Sequence, residues 1–335
     1  MPSLISSRPG GLSLPDAALD VRVTAGLVEV EHVLHASVQS QYPFVTGAAS
    51  HLMDAGGKRF RPLLTLLSAE FGNPEMPNVV PAAVVVELTH LATLYHDDVM
   101  DEAAVRRGAP SANARWDNTV AILTGDFLFA RASNLLADLG ADAVRIQART
   151  FERLCTGQIR ETMGPAAEED PIAHHVQVLA DKTGSLIAAA TRFGGLMSGA
   201  PEGVVETLAT YGERIGVAFQ LADDLVDLAS ERTQSGKTPG TDLREGVATL
   251  AVLFARQSNA SEDARLLELT SGPIRDNAEH AEALALIRAH PAMDQARAEA
   301  RRWADEARAA LSPLPEVPAR EALEMLCEYV VDRSG

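Results

Sequence analysis

The sequence predicts an all-α protein, and three observations carry that prediction. Alanine and leucine dominate, while aromatic residues make up only 4% of the 335 residues, a mix that favours helix over sheet. Apolar residues recur at helical spacing from Asp16 almost to the end, without strand-like alternation between hairpin signals. Breakers fall at Gly72-Asn73-Pro74, Gly108-Ala109-Pro110, Gly164-Pro165, Glu169-Asp170-Pro171, Gly199-Ala200-Pro201, Ser235–Gly240 and Ser312–Pro318. They leave roughly ten or more helices joined by loops too short to be domain linkers. One large helical bundle over residues 16–335 is expected, preceded by a flexible tail over residues 1–15, where Pro, Gly and Ser cluster.

Composition narrows the function. Hydrophobic residues reach 46%, enough for a sizeable core, and the formal net charge of −17 argues against nonspecific nucleic-acid binding. The two cysteines, Cys155 and Cys327, lack zinc-site spacing and a disulfide framework, which fits a reducing cytoplasm. The N-terminus has no apolar core of signal-peptide length. The longest stretch free of Asp, Glu, Lys and Arg, His32–Met53, holds three His, Gln, Ser and Pro, so no integral membrane segment is expected.

The helix over residues 78–101 should start at Asn78 as N-cap, with Pro81 in its first turn. Val84, Leu88, Leu91 and Tyr95 form its apolar stripe, and His90, Thr93, Asp97 and Asp101 form a polar one. A second helix repeats the arrangement. Ile215, Ala218, Phe219, Ala222 and Val226 face packing, and Gln220, Asp223, Asp224 and Asp227 line a polar face. Both helices carry the same acid spacing, Asp97-Asp98-Val-Met-Asp101 and Asp223-Asp224-Leu-Val-Asp227. Carboxylates at i and i+4 stack on one face and repel unless a hard cation relieves them. Mg²⁺ needs only one or two protein carboxylates and takes its other ligands from water and substrate phosphate. A lone cluster reads equally well as an exposed acidic patch. Two matched clusters inside apolar helices point to facing helices, divalent cations and a diphosphate.

Anion-binding groups lie near the first cluster. Gly56-Gly57-Lys58-Arg59-Phe60-Arg61-Pro62 sets three cations beside two glycines whose amides can approach a phosphate. Arg106-Arg107-Gly108 follows Asp101 and would end that helix, binding phosphate or complementing the helix C-terminus. Lys182-Thr183-Gly184 opens an Ala-rich helix, and Lys237 sits in a Gly/Pro loop past the second cluster. Taken singly, the glycine loop reads as a surface turn and His90 as a hydrogen-bonded core histidine.

Together these segments resemble the trans-isoprenyl (polyprenyl) diphosphate synthase family. The matching stretches are GGKRFRP (56–62), LTHLATLYHDDVMDEAAVRRGAPSAN (88–113), GDFLFA (125–130), DKTGSLI (181–187), FQLADDLVDL (219–228) and GKTPGTDLREGVATL (236–250). The resemblance implies an all-α fold with a central cavity, three Mg²⁺ ions and a homodimer. It implies Asp97, Asp101 and Asp223 as metal ligands, with Asp98, Asp224 and Asp227 nearby or bound through water. Arg106, Lys182, Thr183, Gln220 and Lys237 would contact the allylic diphosphate. Gly57, Lys58, Arg61, His90 and Arg107 would hold isopentenyl diphosphate. Metal and basic groups would offset charge on the departing diphosphate, and the double bond of isopentenyl diphosphate would attack the allylic cation. The released diphosphate would take the proton. Two positions depart from the family's pattern: Val247 where Lys is frequent and Ala251 where Pro is frequent.

Product length follows from the helix before Asp97. The resemblance implies that the hydrocarbon runs beside it and is stopped by a bulky side chain one or two turns before the first aspartate. Here those positions are the small Thr89, Ala92 and Thr93, while Tyr95 points elsewhere. A helix rises about 1.5 Å per residue, so an isoprene unit of about 5 Å passes roughly three residues. Medium-to-long products of quinone side-chain type are expected over geranylgeranyl diphosphate, unless a neighbouring helix supplies a block. Two rivals have different requirements. A class I terpene cyclase consumes one diphosphate and needs one anion site. A non-catalytic partner of another synthase would be expected to lose ligands that this chain keeps.

Overall fold

The computed structural model describes residues 14–229, 239–258 and 260–332. The expected tail therefore falls almost wholly outside the described residues, and so does Lys237. The helices run α1 (Ala17–Ser37), α2 (Pro43–Asp54), α3 (Phe60–Ala69), α4 (Val79–Met100), α5 (Ala112–Arg115), α6 (Asn118–Leu139), α7 (Ala141–Met163) and α8 (Pro171–Leu179). They continue as α9 (Ser185–Met197), α10 (Glu202–Ala229), α11 (Thr241–Glu245), α12 (Leu250–Ala255), α13 (Ala264–Leu269), α14 (Asn277–Ala289), α15 (Ala292–Ala310) and α16 (Pro318–Asp332). The protein is all-α, as its composition predicts.

The described chain divides into two compact units. The first comprises Met1–Phe151, Leu186–Gly212 and Pro313–Leu323. Its core forms around α4, against which α1, α3 and α6 pack. The predicted stripe of Val84, Leu88, Leu91 and Tyr95 is fully buried. Tyr95 turns toward α2, where its hydroxyl donates to Ala48 O at 2.5 Å and accepts from Leu52 N at 3.2 Å. Asn78 precedes α4, yet its side chain makes no capping bond. Helices α4 and α6 are each long and apolar enough to cross a membrane by length and composition. The apolar residues of α4 are mostly buried in this core, whereas Ile122 and Leu123 of α6 are exposed.

One feature of this unit departs from the expected absence of strands. β1 (Val105–Arg106) and β2 (Ala109–Pro110) pair antiparallel, with Arg106 opposite Ala109. Arg107 and Gly108 between them have φ of 54° and 76°. Two left-handed central residues are the mark of a tight hairpin turn, and glycine at the second one relieves half of its strain. Two-residue strands are too short to leave an alternating pattern in the sequence.

The second unit comprises Glu152–Ser185, Glu213–Ser312 and Glu324–Gly335. Leu221, Leu225 and Leu228 of α10 pack with Leu250, Ile287 and Ala296 in its core. In the predicted second stripe Ile215, Ala218 and Ala222 are buried, while Phe219 and Val226 are half-buried. Residues Ala180–Gly184 form a π-helical turn between α8 and α9. Such turns add a residue to a helix and are frequent at functional sites.

Candidate active site

Helix α4 ends in the first acid cluster, and the structure separates its three carboxylates. Asp97 is half-buried and Asp101 exposed. Asp98 is fully buried. Its Oδ1 accepts from Arg106 Nε at 2.6 Å and its Oδ2 from Ala112 N, the first residue of α5, at 3.3 Å. Asp98 therefore fastens the hairpin and α5 to the end of α4. Arg106 also reaches Asp101 Oδ2 at 3.4 Å. Asp98 and Arg106 thus hold each other.

The Gly-Gly-Lys-Arg-Phe-Arg-Pro segment leads into α3, and its cations differ in role. Arg59 is buried in the left-handed conformation (φ 47°), bonded through Nε and Nη2 to the Glu31 carboxylate and through Nη1 to Glu87 at 3.2 Å. It is a structural ion pair. Lys58 is exposed. Arg61 sits where burial lowers its guanidinium to about 10, with Arg107 adding to the shift and Glu87 opposing it. Among the described residues its buried Nε has no hydrogen-bond partner. Arg107 donates to Leu52 O at 2.9 Å and to Gly56 O, which holds it in its strained conformation. Strain of this kind persists where surrounding structure over-determines it, commonly at binding sites.

His90 lies among these cations. Burial drives its pKa well below the ordinary value, and Arg61, Arg107, Arg59 and Arg106 add to the shift in that order. The ring is held neutral at pH 7, able to donate one hydrogen bond without adding charge. Gly57 leaves room for two guanidinium groups. A Cβ there would stand 2.6 Å from Arg59 Nη1 and 3.0 Å from Arg107 Nη1. The structure thus brings Gly57, Arg61, His90 and Arg107 close together in the first unit.

Thr89, Ala92 and Thr93 are all buried on α4. The Thr89 hydroxyl donates to Val85 O and the Thr93 hydroxyl to His90 O, each at 2.8 Å. Thr89 also accepts from Gln147 Nε2 on α7 at 2.8 Å.

The second unit carries Asp223, Asp224 and Asp227 on α10. Gln220 Nε2 donates to Asp224 Oδ1 at 3.0 Å, and Gln220 Oε1 accepts from the Thr183 hydroxyl at 3.2 Å. Asp227 Oδ2 accepts from Asp242 N at 3.2 Å. Burial pushes the Asp224 pKa well above the usual carboxylate range, and Asp242, Asp223 and Asp227 push it further. Lys182 projects from the π turn and donates to Glu161 Oε2 at 2.6 Å. Arg153 binds Asp181 Oδ1 at 2.9 Å and Glu213 Oε1 at 2.8 Å, tying the π turn to α7 and α10. Gly157 lets α7 approach that turn, since a Cβ there would lie 2.8 Å from Lys182 N.

This donor set fits a divalent cation. Four carboxylates press on one another around Asp224, and a hard cation is the chemistry that relieves them. Among the described residues no three His, Cys, Asp or Glu side chains converge as a ready-made cage.

Several residues were not singled out by sequence reasoning. Asp242 and Glu161 join the second cluster only through the fold. His175 Nε2 lies 3.8 Å from Asp224 Oδ2 without a hydrogen-bond partner among the described residues, and burial lowers its pKa to about 4. The adjacent His174 faces Glu169 instead, 3.0 Å away. Of the two positions that depart from the family's pattern, Val247 is exposed, whereas Ala251 is buried and lines a small pocket with Asp224 and Thr249.

Known proteins resemble the chain over most of its length. The family model described as polyprenyl synthetase matches residues 42–287. Nonaprenyl diphosphate synthase of Mycobacterium tuberculosis is 51% identical over 97% of this chain and 97% of its own. The geranylgeranyl pyrophosphate synthase of Corynebacterium glutamicum, crystallised with calcium and isoprenyl diphosphate, superposes with a TM-score of 0.87 at 45% identity, covering 97% of this chain and all of that one (100%). A decaprenyl diphosphate synthase from Rhodobacter capsulatus superposes with a TM-score of 0.86 at 35% identity, covering 95% and 99%. With both acid clusters and the basic pocket in place, the chain belongs to the polyprenyl synthetase family, the trans-isoprenyl diphosphate synthases.

Proposed function

We propose that the protein condenses isopentenyl diphosphate with an allylic diphosphate in a magnesium-dependent reaction, releasing an all-trans polyprenyl diphosphate of medium to long chain. The observation that carries this reading is the pocket of Arg61, Arg107 and His90. It is an anion site separate in sequence from the groups of the second acid cluster, as a two-diphosphate reaction requires. Asp97, Asp101 and Asp223 would hold the magnesium ions, three in number, with Asp224 and Asp227 nearby or bound through water; the bound ions would supply the Lewis acidity that offsets charge on the departing diphosphate.

The chain's own groups divide the remaining work. Arg61 and Arg107 neutralise isopentenyl diphosphate, with Lys58 at the rim and His90 as a neutral donor. Lys182, oriented by Glu161, and Arg106, oriented by Asp98, face the allylic diphosphate with Thr183, Gln220 and Lys237. The apolar surroundings of α4 keep water from the allylic cation. Residues 16–335 are proposed as one catalytic domain.

A homodimer is proposed on α6, whose exposed Ile122 and Leu123 suit a second copy of the chain rather than a bilayer. A cytoplasmic location accords with the two free cysteines. The relatives named above favour products longer than geranylgeranyl, although the Corynebacterium structure keeps the four-unit product as the second reading. Incubation of the purified chain with Mg²⁺, isopentenyl diphosphate and a series of allylic primers, followed by chromatography of the hydrolysed products, tests the proposal. Polyprenols of more than four units are expected. Turnover of the allylic substrate alone would indicate a cyclase, and complete inactivity would indicate a silent partner.

A further inference from the structure

The hairpin that carries Arg107 is too short to place itself. Its strands have two residues each, and an isolated two-stranded ribbon is marginal even when longer. Arg107 sits at the tip with a left-handed backbone, and burial, Arg59 and Arg106 all disfavour its charge against the pull of Glu87. A strained cation among other cations stays in place only where its surroundings hold it. Asp98 fastens Arg106 in β1. That bond leaves β2 to be fixed by something else.

The second fastening comes from α2. His51 is buried on that helix, 9% exposed, and its Nε2 lies 2.7 Å from Pro110 O in β2. The next residue, Leu52, offers its carbonyl to Arg107 Nη1 at 2.9 Å. One turn of α2 thus grips both the returning strand and the tip. The other ring nitrogen decides how. Arg115 Nη1 on α5 lies 2.9 Å from His51 Nδ1. A guanidinium has donors and no acceptor, so Nδ1 accepts, and the ring proton sits on Nε2, where it donates to Pro110 O. Arg115 is itself held over Trp116, 4.7 Å from the ring centroid, and Trp116 meets the His51 ring edge-on at 5.1 Å. All these residues belong to the first unit.

We infer that His51 is a positioning residue for isopentenyl diphosphate: its Nε2–H, oriented by Arg115, holds the hairpin so that Arg107 stands beside Arg61 and His90. This rests on the synthase reading above, which puts that substrate's diphosphate on Arg107. His51 acts through the hairpin and not on the diphosphate itself. Arg106 has its own anchor in Asp98, so loss of His51 should spare the allylic diphosphate.

The test is calorimetric titration of isopentenyl diphosphate, which is not consumed without an allylic partner, into full-length wild type, His51→Leu, His51→Gln and Arg115→Met. Melting temperature and the steady-state KM for each substrate are measured alongside. His51→Leu should weaken isopentenyl diphosphate binding at least about fivefold and raise its KM in step, while the allylic KM stays within about twofold. Gln keeps a neutral donor and an acceptor and should bring binding back to within about twofold of wild type. Arg115→Met removes the donor that fixes the ring proton and should weaken binding at least about threefold. A merely structural contact would lower the melting temperature and leave the affinity alone. Wild-type affinity in His51→Leu, a Gln variant as weak as the Leu one, or an equal loss for both substrates would overturn the inference. If His51→Leu fails to fold, wild-type affinity in Arg115→Met would do so. A wild type that does not bind isopentenyl diphosphate at all would instead overturn the synthase reading.

Discussion

Arg106 Nε donates to Asp98 Oδ1 at 2.6 Å, and this bond divides the first acid cluster into two kinds of carboxylate. Asp98 is buried and also holds the start of α5, while Asp97 is half-buried and Asp101 exposed. Asp98→Ala removes the partner of a largely buried guanidinium, and breaking pairs of this kind costs about 3–5 kcal/mol. Urea denaturation should show a loss of about 3 kcal/mol, the lower end, because Arg106 keeps some contact with water. Asp97→Ala should abolish turnover with a denaturation midpoint near wild type, since its removal also lifts repulsion between stacked acids. Equal midpoints for the two variants would contradict this division.

Gly57 permits the approach of Arg59 and Arg107. A methyl group there meets the ends of two guanidinium side chains, which can shift without unfolding the loop. Gly57→Ala should therefore raise the KM for isopentenyl diphosphate about tenfold, a loss of about 1.4 kcal/mol in binding. The allylic KM and the melting temperature should change little. Steady-state kinetics with each substrate varied in turn checks the split.

His175 supplies a pH dependence whose sign can be worked out. Burial lowers its folded pKa to about 4, against an unfolded value near 6.5. Below the unfolded value the denatured chain binds a proton that the folded chain refuses, so stability falls as pH drops from 6.5 toward 4. At pH 5 this group alone costs about 2 kcal/mol relative to pH 7. His175→Gln, which cannot titrate, should lose correspondingly less stability than wild type between pH 7 and pH 5. Urea denaturation at the two pH values measures the difference, and parallel losses in both proteins would refute the assignment.

Much of this site is legible in sequence, because helical periodicity and repeated acid spacing are local signals. The stripe of Val84, Leu88, Leu91 and Tyr95 is one case, and the polar face with Gln220 and Asp223 is another. What sequence does not reveal is which of two adjacent residues turns inward. Asp97 and Asp98 differ by about 100° around the helix, and only the hairpin that returns Arg106 to Asp98 distinguishes them. Arg59 likewise looks equivalent to Lys58 and Arg61 until Glu31 and Glu87, each 28 residues distant, are seen to hold it. Gln147 meets Thr89 across 58 residues, a pairing set by the packing of α7 and invisible to any local pattern. His174 and His175 point to different partners for the same reason as the two aspartates.

The most direct measurement is calorimetric titration of a non-hydrolysable allylic diphosphate analogue into wild type, Asp97→Asn and Asp223→Asn, with and without Mg²⁺. If the two aspartate clusters hold the ions that grip the diphosphate, wild type should bind tightly only with Mg²⁺, and each variant should lose at least about tenfold in affinity, or about 1.4 kcal/mol. Binding that is equal with and without the ion, or variants that bind as wild type does, would contradict the assignment of those aspartates.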